Sequence, residues 1–355
     1  MSRRTKQVIC FSALVALPLM WNACGEVGFE SGQKSSVLDS AGLVDVTQKI
    51  NVTAQSSTKA DILFVIDNSG SMQQEQIDIG LKISGFMNKI KDLDWRIALT
   101  TTSPSSNTNI DGTVLPFGDG QFRPFDSNTG TQYFLDSAQV NVAAAQTMLA
   151  NAIYVGSKGS GDERGIHATY RALERAASPS PNRDFFRTDA AFAVVIISDE
   201  DECSSGHEYC GSNKVKSDPT KLIEFVKGTL GASKQFSVSA IIGIPNDSSC
   251  TSAPSRGVSY QLAQQLTGGS LGSICSNDYS APLTVLGASV TELVKAASLQ
   301  CPPSDFNNDG KADMQIIQPD GQVMKSGYTV KGITVTFDNV LQPGEYTFNY
   351  LCKAK

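Results

Sequence analysis

Histidine and the short motifs that mark most hydrolases and nucleotide-binding enzymes are scarce in this sequence. Only His167 and His207 occur in 355 residues. There is no Gly-x-Ser-x-Gly elbow, Walker loop, dinucleotide fingerprint or His-Glu-x-x-His motif. No plausible base stands beside Ser69 or Ser71, the serines that matter below, so nucleophilic hydrolysis is disfavoured. We therefore expect no enzyme activity, and a metal-dependent hydrolase is the least favoured alternative.

Basic residues are too few and too dispersed for a nucleic-acid partner. The chain has 29 Lys and Arg against 35 Asp and Glu, a net charge of −6, and no basic stripe. Nucleic-acid binding rests on clustered Lys and Arg, so we expect none. The composition, 40% apolar and 18% charged, is that of an ordinary globular protein, and the length allows one large domain plus a small one.

The first 23 residues have the pattern of an export signal. A charged start precedes an apolar stretch, residues 8–20, which is too short to span a bilayer comfortably. Ala23-Cys24-Gly25 resembles the end of a bacterial lipoprotein signal, which implies a lipid on Cys24; plain cleavage after Ala23 is the alternative. We therefore expect an exported cell-envelope lipoprotein, held to the outer membrane or cell surface only by its lipid.

Cysteine spacing predicts disulfides in the exported chain. Six cysteines remain after Cys10 in the signal and Cys24 at its end. No Cys-x-x-Cys pair occurs and histidine is scarce, which argues against a zinc site. Six cysteines permit many pairings, but sequence proximity and element boundaries favour three of them: Cys203–Cys210, Cys250–Cys275 and Cys301–Cys352.

The order of apolar and polar segments predicts three parts beyond the signal. Residues 24–57 have the composition of a polar tether with a possible added edge strand. Residues 58–300 alternate apolar strands with amphipathic helices, which predicts an α/β domain with a doubly wound, mainly parallel sheet. Residues 301–355 carry short alternating stretches and turns, which predict a small C-terminal all-β unit.

A run of oxygen-bearing side chains follows the first apolar strand of the α/β domain. Asp67, Ser69 and Ser71 stand at alternate positions of one loop, and Gly70 is expected to permit a tight turn. Asp199 follows the most apolar strand. Residues 200–202, also acidic, could hold a second ion or form an acidic lip, although a solvated charge run is favoured. Ligands bind beyond the carboxyl ends of parallel strands, and Mg²⁺, Mn²⁺ and Ca²⁺ prefer oxygen, so we predict a divalent-cation site.

This pattern, Asp-x-Ser-x-Ser after one apolar strand and Asp199 after another, resembles a known family. It is similar to a von Willebrand factor A (vWA) domain with a metal-ion-dependent adhesion site, and the resemblance covers residues 58–300. It implies a Rossmann-like fold. It also implies that Asp67, Ser69, Ser71 and Asp199 hold the metal.

The third loop of the resembled site departs from the family pattern. The family places a threonine from a middle loop on the metal, and the corresponding stretch here is residues 159–165. Ser160 could supply the hydroxyl, or Asp162 or Glu163 a carboxylate. A carboxylate would tighten the metal and weaken its attraction for an acidic ligand. The alternative is that both acids only cap the following helix, where they suit the helix dipole.

A second candidate metal loop lies at the junction of the two predicted domains. Its oxygen side chains stand at positions one, three, five and nine, with glycine at six: Asp305, Asn307, Asp309 and Asp313. This spacing resembles calcium loops of the EF-hand and dockerin type, with the ninth-position acid of integrin-like propellers. Position twelve is the apolar Ile316 rather than an acid, so a plain turn is the alternative.

Two functional hypotheses follow from these patterns. In the first, an envelope lipoprotein binds a macromolecular partner, a protein or a glycan, through a Mg²⁺, Mn²⁺ or Ca²⁺ ion at the vWA site. In the second, the protein is a structural or assembly component of an envelope complex, and the metal only stabilises the loops.

Overall fold

The computed structural model describes residues 42–52, 58–104, 118–126, 130–203, 215–339 and 341–353. These residues belong to one compact unit, Val37–Lys355. The expected signal peptide, the expected lipidation site Cys24 and most of the expected tether lie outside the described residues.

The described strands form one large central sheet and two small ones. In chain order they are β1 (Leu43–Val52), β2 (Lys59–Ile66), β3 (Asp94–Thr101), β4 (Phe134–Asp136), β5 (Ala191–Ser198), β6 (Phe236–Ile242), β7 (Leu271–Ser273), β8 (Ala297–Ser298), β9 (Met314–Ile317), β10 (Val323–Met324), β11 (Tyr328–Lys331), β12 (Thr334–Phe337) and β13 (Gly344–Lys353). The central sheet has the order β4-β3-β2-β5-β6-β7, and only β4 runs antiparallel to its neighbour. This order is that of a doubly wound α/β sheet, which confirms the predicted fold class.

Helices cover both faces of the central sheet. They are α1 (Gln73–Lys82), α2 (Ser84–Ile90), α3 (Val142–Ile153), α4 (Gly165–Ala176), α5 (Pro219–Leu230), α6 (Val258–Thr267) and α7 (Ser280–Leu293). Side chains of α1, α2, α3 and α7 form one apolar core, and those of α4, α5 and α6 form the other. Successive residues of β2 alternate between the two: Phe64 lies in the first core, and Leu63 and Val65 lie in the second. A strand buried on both faces must be apolar throughout, which explains the unbroken run that identified it.

The two small sheets are antiparallel. One has the order β1-β13-β9-β10 and the other β11-β12-β8. The edge strand expected near residue 44 is therefore present as β1, and it pairs along its whole length with β13, from Leu43 opposite Lys353 to Val52 opposite Gly344. The β unit of the C-terminal region thus also includes residues that precede the α/β domain.

A buried glutamine connects β1 to the end of the α/β domain. Gln48 is 4% exposed, and its Nε2 donates to the Ser298 carbonyl at 2.8 Å. Its Oε1 accepts from Gln300 N at 3.0 Å and from the Tyr350 hydroxyl at 2.8 Å. Both ends of the amide are satisfied, as a buried polar group requires.

Two of the expected disulfides are present, Cys250–Cys275 and Cys301–Cys352. Cys203 is also disulfide-bonded, while its expected partner Cys210 lies outside the described residues. Such bonds are typical of proteins in oxidising compartments outside the cytosol. Within the described ranges, no helix has the length and apolar character needed to cross a membrane.

Candidate metal site at the carboxyl edge of the central sheet

Three loops meet where strands β2, β3 and β5 end. Hydrogen bonding continues one residue past the strands: Asp67 N donates to Ile197 O at 2.9 Å, and Thr102 N donates to Ile66 O at 3.2 Å. The loop of residues 159–165, called the third loop below, joins them through Arg164 N, which donates to Thr102 O at 3.1 Å. The sheet itself therefore fixes the positions of these loops.

Asp67 lies at the centre of this edge and is fully buried. Its Oδ1 accepts from Ser69 N at 2.7 Å, and its Oδ2 accepts from Ser198 Oγ at 2.6 Å. Its carbonyl accepts from Gln76 Nε2 at 2.8 Å. One carboxylate oxygen is thus oriented by the loop that contains Asp67, and the other by the last residue of the adjacent strand β5.

The two serines of the Asp-x-Ser-x-Ser loop and Asp199 come together with Asp67. Ser69 Oγ and Ser71 Oγ are 3.2 Å apart, and the Ser71 hydroxyl hydrogen-bonds the Asp199 carboxylate. Asp199 is 4% exposed, and its Oδ1 is buried without a hydrogen-bond partner. The four ligands predicted from two separate segments of the sequence therefore form one cluster: Asp67, Ser69, Ser71 and Asp199.

Close packing of the loops requires glycine at position 159 and not at position 70, where the sequence suggested it. Gly70 begins a 3₁₀ turn with negative φ, and a Cβ there would meet only Ser157 O at 3.9 Å, so the turn does not depend on glycine. Gly159 is different, because a Cβ would lie 2.5 Å from the Asn68 backbone oxygen. Its N–H donates to that oxygen at 2.7 Å, and this close approach holds the third loop against the first.

The third loop places its candidate ligands differently. Ser160 Oγ accepts from Asp162 N at 3.0 Å. Asp162 and Arg164 form a buried ion pair, with Arg164 Nε donating to Asp162 Oδ2 at 2.9 Å; Asp162 Oδ1 has no hydrogen-bond partner. Glu163 is the acid of this loop whose pKa responds to the charge of Asp67, and Thr102 Oγ1 donates to Glu163 Oε2.

The carboxyl groups of Asp67, Glu163 and Asp199 all have raised pKa values. Burial raises the pKa of Asp67, and burial together with the Asp67 charge holds the pKa of Glu163 well above its usual range. The same two causes raise the pKa of Asp199 to about 7. The negative charge of Asp67 thus acts on two neighbouring carboxyl groups, and a bound cation relieves repulsion of this kind.

The donor set tests whether a metal ion fits. In the part of the chain that the structure describes, no three His, Cys, Asp or Glu side chains stand in a metal-binding arrangement on their own. The cluster instead combines carboxylates with the Ser69 and Ser71 hydroxyls, a donor set that hard divalent cations accept. The unpartnered Oδ1 of Asp199 supplies a buried lone pair with no other use. The residues present therefore fit a divalent cation.

The acidic residues after Asp199 do not form a solvated run. Glu202 is buried, and its carboxylate accepts from Ile166 N at 2.8 Å and His167 N at 3.0 Å, in the first turn of α4. Asp201 Oδ1 accepts from Ser259 N at 2.9 Å in the first turn of α6. Both acids are used at helix starts, where unpaired N–H groups require acceptors.

The second candidate loop is closed by its own side chains. Asp305 accepts from Asp309 N at 3.1 Å and Gly310 N at 2.8 Å, and Asp313 Oδ1 accepts from Asn307 Nδ2 at 3.1 Å. The four predicted ligands are therefore neighbours in an exposed loop. Calcium binding there stays a prediction.

Comparisons with known proteins find only distant structural similarity. No family model and no curated protein matches it. Solved structures that match include a von Willebrand factor type A protein from Catenulispora acidiphila (12% identity, TM-score 0.39, 89% of this chain and 62% of that one). Others are the pilus adhesin SpaC from Lactobacillus rhamnosus GG in its open conformation (13%, 0.37, 87% and 41%) and the human COPII-coat protein Sec24c (8%, 0.38, 86% and 41%). The chain thus spans less than two thirds of each.

Similarities this low carry no conclusion about family membership or activity. The chain's own geometry defines the class instead: a vWA-like fold, with the Asp-x-Ser-x-Ser loop after β2 and Asp199 after the adjacent β5.

Proposed function

We propose that this protein binds a macromolecular partner through a divalent cation at the edge of its vWA-like domain. One observation carries the proposal: Asp67, the two loop serines and Asp199 meet in one cluster, where Asp199 Oδ1 is buried with no partner. Asp67, Ser69, Ser71 and Asp199 would hold the ion, with the third loop beside them. When bound, the ion supplies a coordination position for a ligand oxygen.

The partner is a protein or a glycan exposed in the cell envelope. The disulfides support an extracytoplasmic location, and the signal-like first 23 residues with Cys24 support a lipid anchor. The sequence carries none of the common hydrolase motifs, so we propose binding without turnover.

A second candidate function is structural, and the hydrogen bonds that already join the loops favour it. Gly159 N bonds Asn68 O at 2.7 Å, and Ser103 Oγ bonds Asn68 Oδ1 at 2.9 Å. A metal added to loops already joined in this way could serve only to stabilise them in an assembly component.

The replacement Asp67→Ala separates the two functions. We expect the wild type to bind Mn²⁺ in calorimetry, and Asp67→Ala to lose that binding without loss of melting temperature in chelator. Asp189→Ala, an exposed acid paired with Lys59, is the matched control and should bind Mn²⁺ normally.

The partner is tested in parallel by capture from envelope extract with and without chelator. Metal-dependent capture that Asp67→Ala abolishes supports the binding function. A wild type that binds no Mn²⁺ refutes it, and a large loss of stability in Asp67→Ala together with unchanged capture favours the structural function.

A further inference from the structure

Strand β1 is paired along one edge only. It lies at the end of the sheet β1-β13-β9-β10, and β13 pairs with it from Leu43 to Val52 without a bulge. Among the described residues, no strand and no backbone hydrogen bond covers residues 44–52 on the other side, called the free edge below. We propose that this free edge pairs with the free edge of a second copy of the chain, antiparallel about a two-fold axis at Thr47.

The free edge has few of the features that usually keep strand edges apart. Proteins protect exposed edges with short strands, bulges, proline or several charged side chains. β1 is 10 residues long, contains neither proline nor glycine, and has Lys49 as its single basic residue. Because the backbone groups of a strand point alternately to its two edges, about half of the N–H and C=O groups of residues 44–52 are directed at the free edge. A second strand would satisfy them.

The exposed side chains of β1 are self-complementary in one antiparallel register. Asp45, Thr47 and Lys49 are exposed on the solvent face of the strand. When Thr47 lies opposite Thr47 of the second copy, Asp45 of each copy lies opposite Lys49 of the other. Opposite charges and threonine pairs directly across two strands are stabilising, and the symmetry doubles the ion pair. Lys49 also bonds Glu345 of its own chain at 2.8 Å, but both side chains are exposed, and such a pair contributes little.

The charged residues of β1 disfavour the neighbouring registers. An axis at Val46 or Gln48 places both charged side chains opposite uncharged ones. An axis at Asp45 or Lys49 sets two like charges opposite each other, which is destabilising. An axis between two residues would set the solvent face of one copy against the inner face of the other. The register about Thr47 is therefore the one that the sequence of β1 selects.

The inner face of β1 also gains from this pairing. Val46, Ile50 and Val52 pack against the apolar core but are only partly buried. In the register about Thr47, Val44 of one copy lies opposite Ile50 of the other, so apolar side chains of the two copies become neighbours. Burying such surface favours association. The two four-stranded sheets would form one continuous sheet, with the solvent faces of both copies on the same side.

Cysteine cross-linking in the full chain tests the position of the axis. Directly opposite residues of antiparallel strands have Cα atoms about 5 Å apart, which is within the reach of a disulfide. Under mild oxidation we expect Thr47→Cys to form a covalent dimer on a non-reducing gel, with chelator or with Mn²⁺, because the pairing does not involve the cation. Asp45→Cys and Lys49→Cys should link poorly alone and well when mixed. Thr329→Cys, an exposed threonine on the edge strand β11, is the matched control and should stay monomeric.

Charge reversal tests the register independently of any new cysteine. We expect the wild type to dimerise with rising concentration in sedimentation analysis, and Asp45→Lys and Lys49→Asp each to dimerise about tenfold or more weakly, since each sets like charges opposite each other. A mixture of the two variants, or the double variant, restores the opposite charges and should recover the wild-type affinity. Glu345→Gln removes the partner of Lys49 within the chain and should dimerise normally.

Three results would overturn the pairing. The first is a wild type that stays monomeric while Thr47→Cys gives no covalent dimer. The second is a dimer whose affinity is the same in both charge variants. The third is a monomer in which hydrogen exchange at residues 44–52 is slow throughout, because another segment of the same chain would then cover the free edge. None of these results bears on the proposed cation site, which is tested separately by Mn²⁺ binding.

Discussion

Ser198 Oγ donates a hydrogen bond of 2.6 Å to Asp67 Oδ2, across the boundary between β5 and β2. Ser198 Oγ also accepts a hydrogen bond from Glu200 N at 3.1 Å, so the serine hydroxyl is itself oriented. Loss of a group that orients a metal ligand typically lowers metal affinity. Ser198 is thus a positioning residue for the proposed site.

Replacing Ser198 by alanine should weaken Mn²⁺ binding by about tenfold to a hundredfold, because Asp67 loses the donor that fixes its Oδ2. Calorimetric titration measures the change. Ser198→Thr keeps the hydroxyl and should retain most of the affinity. An alanine variant with wild-type affinity would show that Asp67 is positioned without this bond.

The ion pair of Asp61 and Arg187 at the opposite end of β2 is expected to be a large stability determinant. Asp61 is completely buried, and Arg187 binds it through Nε at 2.7 Å and through its backbone N–H at 2.6 Å. Removing only the arginine leaves a buried carboxylate without its charge partner. We expect Arg187→Met to lower the free energy of unfolding by about 3–5 kcal/mol in urea denaturation.

Two further variants serve as controls for the stability of Arg187→Met. Arg183→Met removes an exposed arginine 3.9 Å from Asp184 and should cost less than about 0.5 kcal/mol. Adding Asp61→Asn to Arg187→Met should recover part of the loss. Equal losses in Arg187→Met and Arg183→Met would mean that burial of Asp61 carries no penalty.

Stability should rise with pH through the titration of Lys227. This lysine is 9% exposed, and burial lowers its pKa to about 7 from its usual 10.5. Between these values the unfolded chain binds a proton that the folded chain does not, so raising the pH favours folding. The slope approaches about 1.4 kcal/mol per pH unit, vanishing below about pH 7 and above 10.5.

The variant Lys227→Met isolates this effect, because Lys234, whose pKa burial lowers to about 8, adds a similar slope. Urea denaturation from pH 7 to 9.5 should show the stability of wild type approaching that of Lys227→Met as the pH rises. Lys221→Met, on the exposed side of the same helix, should keep the wild-type slope. Parallel curves for wild type and Lys227→Met would contradict the prediction.

The disulfide between Cys301 and Cys352 closes a long loop and should stabilise the fold accordingly. Its cysteines are 51 positions apart, against 25 for Cys250–Cys275. Loss of either bond frees the unfolded chain, more so for the longer loop. We expect the double replacement of Cys301 and Cys352 by alanine to cost about 2–4 kcal/mol in non-reducing urea denaturation, slightly more than the double replacement of the other pair. Unchanged stability would show that the native contacts alone define the β unit.

The central sheet and the core of the site are readable from sequence because their signals are local. β2 is a continuous apolar run, and Asp67, Ser69 and Ser71 follow it within one loop. Parallel strands bring their carboxyl ends to one edge, so Asp199 could be assigned to the same place without knowing any contact.

The residues that sequence reasoning left open or missed depend on contacts between distant segments. Which of the adjacent acids Asp162 and Glu163 faces Asp67 is decided by the hydrogen bonds that fix the third loop on Thr102 and Cys203. Ser198 stands beside Asp199 in the sequence, and only the strand register shows that its hydroxyl reaches Asp67. The partner of β1 likewise lies at the other end of the described chain.

The pairing of β1 with β13 constrains the order in which the molecule can fold. Gln48 and Tyr350 share a hydrogen bond although 302 positions separate them. When the chain is synthesised from the amino terminus, β1 is made long before β13 and lacks this partner until β13 follows. The α/β domain can form its mainly parallel sheet in that interval, whereas the sheet β1-β13-β9-β10 can be completed only after β13 has been made. An uncovered strand edge invites aggregation, so the interval before closure is the time at which a chaperone would be of most use to this protein.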